Sequence, residues 1–277
     1  MIILIDMSVW PDSKKMAVVL SFDLDAESLW IARDPKNLDR PVTLSQGEYG
    51  PRMGVPRILR LLKKYDLKAT FFVTGWAMEH YPKVVEEIVA NGHEIGHHGY
   101  HHEWLDNVSL DEEKSIMAHG ISLIKEFVSE GPFGYRSPSW EFTSNTIRLL
   151  RDNRFKYTSN MMNSDLPYLH RLDGVEIPLV EVPVSWVMDD APYFLYSTRL
   201  MGRTITDPMH VYSIWEQEYS GFYEEGLCFV LTMHPQIIGR PSRIAMLEKL
   251  IRRMRSDPEV WFAQGSEVAD HWLREHR

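Results

Sequence analysis

Short apolar runs separated by amphipathic helical patterns recur along most of this chain, and that alternation sharply limits what it can fold into. Strands are expected at 17–22, 69–73, 94–97, 133–135, 156–159, 180–184, 228–233 and 260–263. Helical signals follow most of them. Residues 55–65 put Ile58, Leu59 and Leu62 on one face with Arg57, Arg60 and Lys64 opposite. Pro82 opens a helix that closes at Asn91-Gly92, and Ser109 with Glu112 reads as a capping box for a helix reaching about Val128. Asp207-Pro208 starts another helix, and Ser242 precedes one over 244–254. Repeated strand–helix units imply parallel strands joined by right-handed crossovers, hence a (β/α) barrel or an open doubly wound sheet. No glycine-rich phosphate fingerprint follows the first strand, which argues against a dinucleotide-binding sheet. The number of units favours the barrel. Two stretches, 26–53 and 189–207, do not fit the alternation and read as long loops at the mouth of the sheet, where substrate selection is usually built.

Composition narrows the function. At 277 residues the chain suits one large domain, or at most two small ones, and 44% hydrophobic against 25% charged residues excludes disorder and coiled coil. Thirty basic against 39 acidic residues leave a net charge of −9, which disfavours a nucleic-acid partner. The single cysteine, Cys228, lies in an apolar run and reads as a buried strand residue, so no disulfide framework or cysteine-rich zinc module is expected. The start of the chain lacks the basic region of a signal peptide, and no apolar segment reaches the length of a membrane span. A cytoplasmic protein without a membrane partner is therefore expected. Histidine is the outlier: five of the twelve fall between His93 and His102.

Five constellations carry chemistry, each at the expected C-terminal end of a different strand. Ser21-Phe22-Asp23-Leu24-Asp25 offers two carboxylates that can divide cation binding from proton transfer. In Gly92–Glu103, His98 and His102 have the i, i+4 spacing that puts two imidazoles on one face of a helical turn; His97 and His101 share that spacing. Two such histidines with Asp25 make a facial metal site with open positions. Arg136 in Tyr135-Arg136-Ser137-Pro138-Ser139-Trp140 can orient an aspartate. The strand at 180–184 leaves Trp186, Asp189 and Asp190 at its exit, and His234 ends the most apolar strand as a candidate general acid.

The order of these motifs resembles the polysaccharide deacetylase family, the NodB-homology carbohydrate esterase group, over nearly the whole chain, which implies a single catalytic domain over 1–277 with a core of about 17–272. The resemblance implies a distorted (β/α)7 TIM-like barrel and a metal-dependent hydrolase of non-peptide C–N bonds, removing N-acetyl groups from an amino sugar or a related small amide. Position by position it implies Asp23 as general base, Asp25, His98 and His102 as metal ligands, His234 as general acid and Arg136 as the arginine orienting the base. The metal it implies is Zn²⁺, with Mn²⁺, Co²⁺ or Ni²⁺ as alternatives. Two departures stand out: Leu24 splits an aspartate pair that is usually adjacent, and Ser139 stands where a tyrosine is common. With Glu181–Trp186 and Gly239-Arg240-Pro241, they make the chain similar to the cytosolic branch, which contains the Helicobacter-type peptidoglycan deacetylase homologue and cyclic-imide or allantoin hydrolases. That branch implies a homo-oligomer, a tetramer, acting on a small molecule or short oligosaccharide. Trp140, Trp186, Tyr100 and Asp189 are the candidate substrate contacts, and a backbone N–H near Gly99 or Tyr100 the candidate oxyanion donor. Ring opening of a cyclic amide or imide is the alternative reaction; a non-haem iron oxygenase and a non-catalytic binding module are more distant readings.

Overall fold

In the computed structural model, residues 9–197 and 205–276 are described. The sequence expectations drawn from residues 1–6, and the part of the 189–207 stretch at 198–204, lie outside the described residues. The strands are β1 (Met16–Leu24), β2 (Thr70–Val73), β3 (Glu94–His97), β4 (Gly134–Tyr135), β5 (Tyr157–Thr158), β6 (Tyr168–Leu172), β7 (Val175–Glu181), β8 (Cys228–Met233) and β9 (Val260–Ala263). They form one sheet in the order β6-β7-β5-β4-β3-β2-β1-β8, with β9 also paired to β1. All pairs are parallel except β6–β7. Beyond β7, Asp189 makes a parallel bridge to Thr232 of β8, which brings the two ends of the sheet together. This is the distorted α/β barrel that the alternation implies.

β1 explains how the barrel is packed. Val18, Leu20, Phe22 and Leu24 belong to the apolar cluster shared with the surrounding helices, while Ala17 and Val19 join Phe72, Tyr157, Val180 and Val230 in a second cluster. Side chains alternate across a strand, so Ser21 and Asp23 continue the face of Ala17 and Val19. All nine residues of β1 are buried. Apolar residues on both faces are what a helix-covered parallel sheet requires.

Two expectations are corrected. The 26–53 stretch is not a loop. It contains helices Ser28–Arg33 and Pro41–Tyr49, a 3-10 turn Pro35–Asp39 and a wide turn Gly50–Gly54 leading into Val55–Lys64. Its starts are local: Pro35 and Pro41 supply first-turn prolines, and the Asp34 carboxylate accepts the Lys36 N–H at 3.0 Å. No clear apolar stripe marks residues 41–49, so periodicity could not reveal that helix. The second correction is the β6–β7 hairpin, where only a strand at 180–184 was expected. Asp173 and Gly174 both have positive φ (53° and 81°), the backbone of the Asp-Gly hairpin turn. Among the described residues, no helix is long and apolar enough to cross a membrane.

The helix Leu110–Phe127 begins as its sequence implies: the Ser109 hydroxyl accepts the Glu112 N–H at 3.3 Å, and the Glu112 carboxylate accepts the Ser109 N–H at 2.8 Å. Ser109→Ala is expected to lower unfolding free energy by about 1 kcal/mol without altering the site, checked by urea denaturation.

Candidate active site

Ser21 and Asp23 lie on the interior face of β1, and Asp25 follows just beyond its end; all three are buried. Deep burial of carboxylates is unfavourable without partners, and Arg136, itself fully buried, supplies one. Its Nη1 donates to Asp23 Oδ1 at 2.8 Å and to Ser21 Oγ at 2.9 Å. Its Nη2 and Nε donate to Ser159 Oγ (2.8 Å) and Ser159 O (3.2 Å), and the guanidinium lies 4.2 Å from the Phe72 ring centre. Every side of the cation is thereby engaged.

The five clustered histidines separate. His98 and His102 turn to Asp25, with Nε2 atoms 3.4 and 4.0 Å from its Oδ1. His97 is held by Tyr135 and Phe155 (ring centres 5.4 and 6.1 Å), His101 by Trp76 (5.2 Å), and His93 Nδ1 accepts the Ala69 N–H. The helical-turn argument for His98 and His102 is corrected, because residues 98–102 form no helix. Gly99 (φ +68°) and His102 (φ +60°) take left-handed backbone in a tight turn, and the Glu103 carboxylate accepts the N–H groups of Tyr100 and His101 at 2.9 and 2.8 Å. That turn, and not a helix, brings the second imidazole back.

The donor atoms of Asp25, His98 and His102 lie within 4.8 Å of one another. The fit to a divalent metal rests on two observations. Asp25 Oδ1 is buried with no hydrogen-bond partner, an orphaned acceptor facing two imidazoles. His98 Nδ1 is 2.8 Å from the Arg136 carbonyl, which can only accept, so Nδ1 carries a proton and Nε2 is the nitrogen left to face the site. Ligands about 2.1 Å from a tetrahedral ion are separated by about 3.4 Å, close to the distances found here. Burial holds His102 down to about 4, so this imidazole is neutral at pH 7 as a ligand must be. For Asp25, burial pushes upward, but His102, His98 and His234 outweigh it and hold the carboxyl below its ordinary range. Burial lowers His98, yet Asp23 and Asp25 outweigh it and raise it overall, so metal binding must displace a proton there. Gln236 Nε2 steadies the other oxygen, Asp25 Oδ2, at 3.3 Å.

On the far side of Asp25, His234 Nε2 stands 3.9 Å from Oδ2. Its Nδ1 donates to Asp190 Oδ1 at 2.7 Å, and its backbone N–H donates to Asp190 Oδ2 at 3.0 Å. Burial opposes protonation, but Asp189, Asp190 and Asp25 raise the imidazole well above its usual value. Burial also pushes the Asp189 carboxyl up to about 7.

A cavity of about 360 Å³ opens over these groups. Asp23, His98, His102, His234, Asp189, Trp140 and Trp186 line it, together with Ser139, Arg33 and Pro192. The indoles of Trp140 and Trp186 lie 4.3 Å apart, Trp140 buried and Trp186 45% exposed. Tyr100, expected here, is not in this lining; its hydroxyl donates to Glu79 at 2.5 Å and its ring stacks on His119. The expected oxyanion donors are also taken, Gly99 N–H by His97 Nδ1 (3.1 Å) and Tyr100 N–H by Glu103. Sequence reasoning missed Asp190 as the partner of His234, Gln236, and the serines that hold Arg136. Asp190 stood beside Asp189 in the motif, but spacing alone could not say which acid faces the imidazole.

The polysaccharide deacetylase family model matches residues 38–158, a span that begins after Asp25 and ends before His234. Over 289 residues the chain is 31% identical to the peptidoglycan deacetylase of Helicobacter pylori, covering 95% of this chain and 98% of that protein. The crystal structure of a polysaccharide deacetylase-type protein from Mycobacterium smegmatis superposes with a TM-score of 0.91 at 38% identity, covering 96% of this chain and 92% of that one. An allantoinase structure gives a TM-score of 0.84 at 24% identity, covering 96% and 93%, a likeness of fold alone.

Because His98 must lose a proton to bind metal and is held above the ordinary imidazole value, Zn²⁺ affinity is expected to rise with pH and to keep rising past the point where a free imidazole has finished titrating. His102→Ala should abolish tight binding. Competition against a chromogenic chelator measures both.

Proposed function

The chain belongs to the polysaccharide deacetylase family, and on that premise we propose that it is a metal-dependent hydrolase removing N-acetyl groups from an amino sugar or short amino-sugar oligomer. One observation carries the reading: three metal-competent donors meet at Asp25 with a carboxylate, Asp23, and a hydrogen-bonded imidazole, His234, lining the same cavity. The same proposal takes the chain as one catalytic domain over 1–277 with a core of about 17–272, Zn²⁺ as the metal, and a cytoplasmic homo-oligomer. These finer points come from the likeness of its motifs to the cytosolic branch.

Asp25, His98 and His102 would hold the ion. When bound, a divalent cation supplies Lewis acidity, drawing electron density from the amide carbonyl and acidifying water. Asp23 accepts the proton of the attacking water, with one oxygen tied to Arg136 so that its basic oxygen is fixed in direction. His234 delivers a proton from Nε2 to the departing nitrogen, because Asp190 holds Nδ1–H and keeps the ring cationic. Trp140 and Trp186 offer an apolar wall to a sugar ring, and Asp189 offers a carboxyl to its hydroxyls or N–H groups. The free cavity volume, about 360 Å³, would also take a cyclic amide or imide, which supports ring opening as the second reading.

Acetate release from N-acetylglucosamine oligomers, against formation of a ring-opened acid from small imides, decides between the two. Acetate is expected, lost on chelation and restored by Zn²⁺; turnover unaffected by thorough chelation would refute the proposal. Asp23→Asn should lower kcat about 10²–10⁴-fold while Zn²⁺ stays bound. Asp190→Asn removes one of the three charges that raise His234, together with its hydrogen bond to a carboxylate, so the imidazolium is lost at lower pH. The basic limb of the kcat–pH profile should move downward, and kcat at pH 8 should fall about 10–100-fold.

A further inference from the structure

Glu181, the last residue of β7, is fully buried and has no part in the mechanism above. It does not line the cavity, nor does His170 or Asn160. Yet its carboxylate is fully engaged. Oε1 accepts the backbone N–H groups of Asn160 (2.6 Å) and Met161 (2.9 Å), and Oε2 accepts from His170 Nε2 at 2.7 Å.

The segment held in this way grips residue 136 from both sides. Ser159 receives Nε and Nη2 of Arg136, and Asn160 Oδ1 accepts the Ser137 N–H at 2.7 Å. Arg136 then reaches the chemistry twice, through Nη1 to Asp23 and through its carbonyl to His98 Nδ1. This happens where the strands are shortest, since β4 and β5 are only two residues long. The ladder carries one residue further, with the Arg136 N–H donating to the His97 carbonyl (2.9 Å) and the Ser159 N–H to the Tyr135 carbonyl (3.0 Å), and the N–H groups of Asn160 and Met161 then turn to the Glu181 carboxylate. A buried carboxylate accepting those two main-chain N–H groups holds the segment that follows Ser159, from which Asn160 reaches Ser137.

We propose that Glu181, oriented by His170, is a positioning residue that sets Arg136, and through it both the base Asp23 and the metal-site histidine His98. The assignment rests on the roles given to Asp23 and His98 above.

The test uses the full chain loaded with Zn²⁺. Glu181→Gln and Glu181→Leu are made in the natural and the Arg136→Ala backgrounds, with kcat, KM, Zn²⁺ affinity by chelator competition and thermal melting as readouts. Glu181→Leu should lower kcat about 10–100-fold with KM changed less than about twofold, and weaken Zn²⁺ about tenfold. Glu181→Gln should recover most of both, because its Oε1 still accepts two N–H groups. With Arg136→Ala already present, Glu181→Leu should cost less in kcat than in the natural background, because the side-chain route to Asp23 is already gone, while the loss of Zn²⁺ affinity should persist, because the backbone carbonyl that holds His98 remains. An equal kcat loss in both backgrounds, or a lower melting temperature with kcat and Zn²⁺ affinity unchanged, overturns the proposal. If Glu181→Leu does not fold, His170→Ala carries the comparison. A kcat loss of about 3–10-fold recovered in His170→Gln, whose amide can donate to Glu181, supports the proposal, and no loss overturns it. Failure of the parent protein to hydrolyse any substrate would refute the functional reading instead, while Zn²⁺ affinity across the variants still judges the route to His98.

Discussion

The buried Arg136–Asp23 pair is the interaction on which the rest of this site depends. A barrel mouth that collects Asp23, Asp25, His98, His102, Asp189, Asp190 and His234, all buried, concentrates more negative charge than a dry interior tolerates. Arg136 offsets part of it with a permanent cation, held by Ser21, Ser159, Asp23 and the face of Phe72. Arginine suits this place better than lysine, because its planar fork addresses three partners at once while its flat face packs on an aromatic ring. The pair is costly to break, since removing either member strands the other as an unpaired buried charge. The remaining excess of negative charge is what a divalent cation would neutralise, with His234 carrying the balance as imidazolium on the opposite side of Asp25.

Geometry at the mouth follows from the period of β1. Because alternate side chains share a face, the sequence Asp23-Leu24-Asp25 directs Leu24 into the helix-facing core and leaves the carboxylates at spacing two, on the interior side. Two adjacent aspartates on a regular strand would point to opposite faces, so the intervening leucine lets the strand run regularly up to the site. The irregular backbone falls immediately afterwards: Ala26, His102, Ser139 and Trp140 all have positive φ, at 50°, 60°, 57° and 60°. Left-handed backbone in such residues is unfavourable and survives where surrounding structure enforces it. Here it bends three loops sharply over the cavity, each just beyond a strand, which places function where the sheet's regularity ends.

Much of the fold was legible in the sequence because its signals are local and repetitive. The strand limits at 94–97, 228–233 and 260–263 agree with the structure to the residue, and the Ser109–Glu112 capping box is present as read. The helices within 26–53 were not legible: their starts are marked by prolines and an aspartate, with no apolar stripe, and tertiary packing sustains them. Gly54 and Gly239 sit against each other and against the Pro235 carbonyl, so a Cβ on Gly54 would come within 2.1 Å of that oxygen. Such close approach is a long-range property that no window of sequence displays. The β6–β7 hairpin is a different case, since Asp173-Gly174 carried a recognised turn signature that the apolar runs overshadowed.

Legibility of the site divides in the same physical way. Residues that act on a substrate or ion stand at strand ends in compact motifs, so their chemistry and order expose them. Residues that hold those groups come from elsewhere in the chain: Ser159 lies 23 positions from Arg136, Asp190 lies 44 from His234, and Gln236 lies 211 from Asp25. None carries a signature, because any hydrogen-bonding side chain of the right length could serve. Their identity is set by register across the sheet. The Asp189–Thr232 bridge, for example, leaves Asp190 beside the strand that ends at His234, and the Asp190 N–H then donates to the Thr232 carbonyl at 3.1 Å. Tyr100 illustrates the converse. An aromatic inside a metal-ligand motif suggests substrate contact, but the left-handed turn at Gly99 sends its ring outward to Glu79 and His119. The backbone conformation of one glycine thus decides which neighbours of a metal ligand face the cavity, and composition alone does not contain that choice.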